Sequence, residues 1–179
     1  MEIKAIETSY NGYRMRSRIE ARWAVFYDAL GVDWRYEPEG YNLNGVYYLP
    51  DFYLPEYGFI EIKGAHPTKD EIIKCELLSN INTVFLFFGE IPEPVRYFAD
   101  ANYVDSAYIF YDGACADSGY SWCICKICGA INIQYGGMAA RNCNCLDWKR
   151  YKGYNDDDPL LVKAYTAARS ARFEHQAAI

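Results

Sequence analysis

The stretch from Val46 to Gly64 constrains the fold more than any other part of this chain. Two apolar, aromatic-rich runs flank Pro55-Glu56-Tyr57-Gly58, which carries turn residues, so the stretch reads as a β-hairpin. Along its second strand Ile60 and Ile62 face one way, while Glu61 and Lys63 face the other. Register decides what Glu61 meets, because opposed residues of an antiparallel pair share a face and a one-residue slip reverses every side chain. Pairing Leu54 with Phe59 puts Asp51 opposite Ile62. Pairing Tyr53 with Phe59 puts Asp51 opposite Glu61 and Leu49 opposite Lys63. Pro55 has no amide hydrogen to give a ladder, which favours pairing that stops before it and a loop from Leu54 to Gly58. The prediction is a polar cluster of Asp51, Glu61 and Lys63 on an otherwise apolar hairpin.

The 179 residues suffice for one domain of ordinary size with a small appendage. Of these, 51% are hydrophobic and 18 are Tyr, so the chain can bury a real core and is not a disordered one. No apolar run approaches the ~20 residues needed to cross a bilayer, so no membrane association is expected. The first residues lack the apolar region of a signal peptide, and a cytoplasmic protein is the expectation. Net charge is -6, which argues against an indiscriminate nucleic-acid binder. The balance is uneven: residues 113–179 carry 8 Lys+Arg against 6 Asp+Glu, which leaves room for a local basic surface.

Arg14 to Leu30 reads as an amphipathic helix closed by Gly31, with Met15, Ile19, Trp23, Phe26 and Leu30 as its apolar stripe. Glu20 lies at the edge of that stripe; a helical pair with Arg16 would account for it without any chemistry. Asp33 to Glu39 reads as a short strand. Thr68 to Glu71 is a capping box that starts a helix running to about Ser79. Thr83 to Phe88 is continuously apolar, as in a strand buried on both faces, and Ser106 to Tyr111 reads as another strand. A helix from Leu160 to Glu174 follows Pro159, with Leu161, Ala164, Tyr165, Ala168 and Phe173 apolar. The predicted units are a core over 1–112, a cysteine module over 113–153 and a C-terminal helix over 154–179.

Pro50-Asp51, then Glu61-Ile62-Lys63, set after a helix carrying Glu20 and before a helix and a buried strand, resembles the PD-(D/E)xK nuclease superfamily. The resemblance covers roughly residues 14–88. It implies an α/β fold with a restriction-endonuclease-like α-β-β-β-α-β core and a mixed sheet. It further implies Asp51, Glu61 and the Ile62 carbonyl as ligands of Mg²⁺ or Mn²⁺. Lys63 would orient and help deprotonate the attacking water, or stabilise transition-state charge; Glu20 would be an additional ligand or would position a water. The residue types suit the chemistry, because paired carboxylates hold a hard dication that neutralises phosphorane charge and generates hydroxide. An exposed Glu61–Lys63 salt bridge would account for the pair without catalysis. The helix after Lys63 lacks the Gln-x-x-x-Tyr motif of RecB-like nucleases, which disfavours an exonuclease of that branch. Lys69 or Lys74 on this helix could meet phosphate or simply face solvent, and His66 reads as a loop residue before Pro67.

Cys125, Cys128, Cys143 and Cys145 give C-x2-C-x14-C-x-C, which resembles a zinc ribbon, with Ile131 to Tyr135 as a strand leading away from the metal. Cys123 could replace Cys125. An iron–sulfur cluster is the alternative metal, but such clusters in this superfamily draw cysteines from distant parts of the chain, so structural Zn²⁺ is preferred. Cys75 and Cys115 read as buried thiols. Lys126, Arg141, Lys149, Arg150 and Lys152 would supply phosphate contacts if the ribbon touches DNA. The functional expectation is a metal-dependent DNA endonuclease, acting as a homodimer or by two visits to cut both strands. The alternative is a nuclease-like fold that binds DNA or a protein without cutting.

Overall fold

The computed structural model describes residues 5–93, 107–125, 127–135, 145 and 158–173. A small hairpin, β1 (Thr8–Tyr10) and β2 (Tyr13–Met15), leads into α1 (Arg18–Leu30). Then come β3 (Arg35–Tyr36), a second hairpin of β4 (Tyr41–Leu43) and β5 (Val46–Tyr48), β6 (Phe52–Leu54) and β7 (Gly58–Lys63). They are followed by α2 (Lys69–Leu78), β8 (Val84–Phe88), β9 (Ala107–Tyr111) and β10 (Ala114–Ser118). The last elements are β11 (Tyr120–Ile124), β12 (Ile131–Tyr135) and α3 (Pro159–Ser170). The fold is mixed α/β, built on a six-stranded sheet in the order β10-β9-β8-β7-β6-β3. Only β7 and β8 are parallel; the other neighbours run antiparallel.

Strand alternation sorts the sheet's side chains into two layers. Ile60, Ile62, Phe85, Phe87 and Ile109 face α1, α3 and the β11–β12 hairpin, where Trp23, Phe26, Tyr27, Trp122 and Tyr165 fill the larger core. Phe59, Val84, Leu86 and Phe110 face α2 and Leu43 in a smaller one. The β6–β7 register pairs Tyr53 with Phe59, as the argument from Pro55 requires. The loop is shorter than expected, because Leu54 still pairs with Gly58 and Tyr57 closes the turn onto the Leu54 carbonyl at 3.0 Å. Gly58 is a steric necessity: its φ is +104°, and a Cβ there would lie 2.3 Å from the Thr83 carbonyl oxygen.

Several expectations need correction. The hairpin predicted over Val46–Gly64 is broken at Pro50-Asp51, where the chain bends: Val46–Tyr48 pairs with Tyr41–Leu43 instead, and only Phe52–Leu54 pairs with β7. The last helix ends at Ser170, short of Glu174. The first helix starts at Arg18, capped by Ser17, so Arg14, Met15 and Arg16 lie in β2 and the bend after it. Ser17 outcompetes the apolar periodicity because its hydroxyl accepts from the Glu20 amide at 3.3 Å. The boundary at 112/113 does not divide the sheet, since β10 pairs with β9 across it. Nor does the cysteine hairpin have a core of its own: Trp122, Ile124 and Ile133 belong to the larger core, and α3 packs there too. Cys115 is exposed on β10, unlike the buried Cys75. The capping box at Thr68 and the burial of Val84 to Leu86 are as expected.

Candidate metal and active centre

The site forms where β6 enters the sheet beside the end of β7. Asp51 immediately precedes β6, and the register carries it alongside Glu61. The backbone locks the two together: the Asp51 amide donates to Glu61 Oε1 at 3.1 Å, and the Ile62 amide donates to Asp51 Oδ2 at 2.8 Å. Both residues are buried, at 3% and 1% exposure. Lys63 reaches across the pair, its Nζ 3.2 Å from Glu61 Oε2 and 3.9 Å from Asp51 Oδ2. Glu71 of α2 lies 4.0 Å from the same ammonium.

Glu20 stands in an adjoining network. Its carboxylate accepts from Ser17 Oγ at 2.6 Å, from the Tyr36 hydroxyl at 2.7 Å and from the Arg16 amide at 3.2 Å. The reading of Glu20 as a helical partner of the Arg16 side chain does not apply, because Arg16 lies outside the helix and meets Glu20 through its backbone amide. Its guanidinium turns instead to Asp51 Oδ1, 2.9 Å from Nη2, and to Glu37 Oε1, 2.6 Å from Nε. Among the described residues, no three carboxylates bring oxygens together as closely as the cysteine sulfurs described below. Asp51 and Glu61 form a pair with Glu20 to one side.

Burial sets the electrostatics. Desolvation and the facing Glu61 charge push the Asp51 carboxyl up to about 8, against the pull of Lys63, the Ile62 amide and Arg16. Burial also raises Glu20, with Asp51 adding repulsion and Ser17, Tyr36 and Arg16 opposing it. For Lys63 desolvation pulls the other way, yet Asp51, Glu61 and Glu71 outweigh it and the ammonium holds its proton more tightly than a free lysine. Tyr48 reaches the site from the β4–β5 hairpin: its hydroxyl is buried beside Glu61, and burial with the neighbouring carboxylate keeps it protonated. Lys74 Nζ lies 5.8 Å above the Tyr48 ring, so this lysine covers an aromatic face. His66 rests on Phe88 and touches the Tyr108 hydroxyl at 3.3 Å.

The buried oxygens of Asp51 and Glu61 are hard donors of the type that small divalent ions take, and side-chain cations already neighbour both. Sequence reasoning missed Arg16, Tyr36, Glu37 and Tyr48. The spacing Ser17-x-x-Glu20 was the available signal for Arg16, because a cap at Ser17 puts the preceding residue off the helix.

A second centre lies at the β11–β12 turn. Sulfurs of Cys125, Cys128 and Cys145 come within 4.8 Å of one another and could hold a metal ion. The knuckle is closed by the Gly129 amide on the Cys125 carbonyl and the Cys125 amide on the Ala130 carbonyl, both at 2.8 Å. Gly129 has φ +74°, the left-handed conformation such a turn needs. Cys123 is buried within β11 opposite Asn132 and is not one of the three. Cys143 lies outside the described residues, as do Lys126, Arg141, Lys149, Arg150 and Lys152. No helix among the described residues is long and apolar enough to cross a membrane. No protein-family model, curated protein or solved structure matches this chain.

Proposed function

We propose that this protein is a Mg²⁺- or Mn²⁺-dependent DNA endonuclease of the PD-(D/E)xK kind. One observation carries the reading: Asp51 meets Glu61 and Lys63, ten and twelve residues further on, in a largely buried cluster where an uncatalytic chain would bury apolar side chains. The element order adds support, since α1, β3, β6, β7, α2 and β8 follow the α-β-β-β-α-β order of that superfamily once the β4–β5 hairpin is set aside. Asp51 and Glu61, with the Ile62 carbonyl, would hold the ion. When bound, the ion would supply charge neutralisation and an activated water.

Lys63 serves as a fixed cation. Its ammonium lies 3.2 Å from Glu61 and 3.9 Å from Asp51, placed to donate a hydrogen bond to the attacking water and to offset charge on the phosphorane. Tyr36 and Ser17 hold Glu20 in one orientation, from which it would serve as a further ligand or position a water beside the ion. Cys125, Cys128 and Cys145, with Cys143 as fourth ligand, would bind structural Zn²⁺, and DNA is the substrate and partner. The protein is read as cytoplasmic, and cutting both strands calls for a homodimer or two visits.

The test is nicking of plasmid, linear and branched DNA with Mg²⁺ or Mn²⁺, with Lys63→Ala alongside. Cleavage by the wild type and its loss in the variant are expected. Failure of folded, metal-loaded protein to cut any of the three would leave the second reading, a non-cutting binder. That reading is favoured by the way Arg16, Lys63 and backbone amides already satisfy the Asp51–Glu61 pair.

A further inference from the structure

On the nuclease reading a divalent ion must reach Asp51, and a side chain of the protein already stands there. Arg16 occupies the bend between β2 and α1, with its amide held by the Tyr36 hydroxyl at 2.9 Å and by Glu20. From this anchor the guanidinium bridges Glu37 and Asp51. Glu37 is itself pinned to the site: its amide donates to the Asp51 carbonyl at 2.9 Å, and its φ of +42° is uncommon for a residue with a side chain. Asp51 Oδ2 is taken by the Ile62 amide, so Oδ1 is the oxygen most open to a metal, and Arg16 has it. The two partners differ sharply in freedom, with side-chain exposure of 4% for Asp51 and 53% for Arg16.

We propose that Arg16 is an exchangeable counter-ion, which holds Asp51 while no metal is bound and passes to a substrate phosphate when a divalent ion takes Oδ1. This rests on the nuclease reading and names the residue that grips the DNA backbone beside the cut. A guanidinium and a dication cannot both sit on one carboxylate oxygen without strong repulsion. Arg16 can swing away through its own torsions, because its outer face is already in solvent. Glu37 keeps hold of Nε and confines the swing, so the freed donors stay within reach of a phosphate, whose oxygens match the guanidinium fork. Lys63 does not suit the role, since its side chain is only 25% exposed and it is committed to Glu61.

The experiment compares wild type with Arg16→Gln and Arg16→Lys in two assays at about pH 8.5, where protons compete less for Asp51. Calorimetric titration with Mn²⁺ should show Arg16→Gln binding the ion about three- to tenfold more tightly, because the competing cation is gone. Anisotropy of a labelled duplex with Ca²⁺ should show weaker binding, with a salt dependence reduced by about one phosphate contact. Arg16→Lys keeps the charge but cannot bridge two carboxylates, so it should restore the salt dependence while still binding Mn²⁺ more tightly than wild type. Matching thermal melts establish that all three proteins are folded. Unchanged or weaker Mn²⁺ binding by Arg16→Gln, or an unchanged salt dependence, overturns the exchange. If the wild type binds Mn²⁺ and cuts DNA in that case, the nuclease reading survives alone; if none of the three binds Mn²⁺, both fall.

Discussion

Asp51 and Lys63 face each other with opposite responses to burial, and their pH behaviour follows from that. Asp51 is pushed up to about 8 in the folded protein, whereas an unfolded aspartate titrates near ~4. Between those values the native state keeps a proton that the unfolded chain has lost. Its contribution to stability is therefore complete below about pH 4 and is lost as pH rises through about 8. Metal-free protein should become easier to denature in urea between about pH 5 and 8.5, and Asp51→Asn should flatten that trend. Added Mn²⁺ should stabilise wild type more at the alkaline end, because the ion binds the ionised form. On the proposed nuclease function, Lys63→Ala should slow cleavage about 10²- to 10³-fold in single-turnover assays while Mn²⁺ binding is kept. Most of this cluster was legible in the sequence: Pro55 selects the register, and the register brings Asp51 to Glu61. Arg16 was not, because helical periodicity and the cap at Ser17 disagree about where α1 begins, and only the cap leaves its guanidinium free to reach Asp51.

Single elements carry the geometry on which those residues depend. Ser17 caps α1 and also binds Glu20, so Ser17→Ala should cost about 1 kcal/mol by thermal or urea denaturation and loosen the Glu20 carboxylate. Gly58 brings β7 against Thr83, and its backbone conformation admits no Cβ. Gly58→Ala should therefore destabilise the fold by about 2–4 kcal/mol, read as a lowered urea midpoint, by forcing β7 away from β8. The capping box at Thr68 and the apolar run into Phe88 were readable because local chemistry and tertiary packing agree there. The β4–β5 hairpin was not read as a separate unit, since Tyr41 to Tyr48 offers no alternation of its own. Its Asn44-Gly45 turn, both residues at positive φ, sets Tyr48 over Glu61.

Across the whole molecule the division into core, ribbon and tail gives way to shared packing. Trp122, two residues past the start of β11, is fully buried against Phe26, Tyr27, Tyr57 and Phe87. The sequence pattern hid this because a short cysteine-rich segment looks self-contained when its neighbours are unseen. Stripping metal from the cysteines should consequently lower one cooperative calorimetric transition of the entire protein; two separate transitions would count against shared packing. Trp122→Ala should cost about 3–5 kcal/mol even with metal bound, measured by urea denaturation. The pairing of α1 with α3 has a consequence for synthesis. Phe26 of the first helix lies 4.6 Å, ring centre to ring centre, from Tyr165 of the last. A ribosome must therefore deliver the final helix before the larger core can close. Nascent chains that stop short of α3 would leave Trp23, Phe26 and Trp122 without the helix that helps bury them, an apolar surface open to aggregation until α3 emerges.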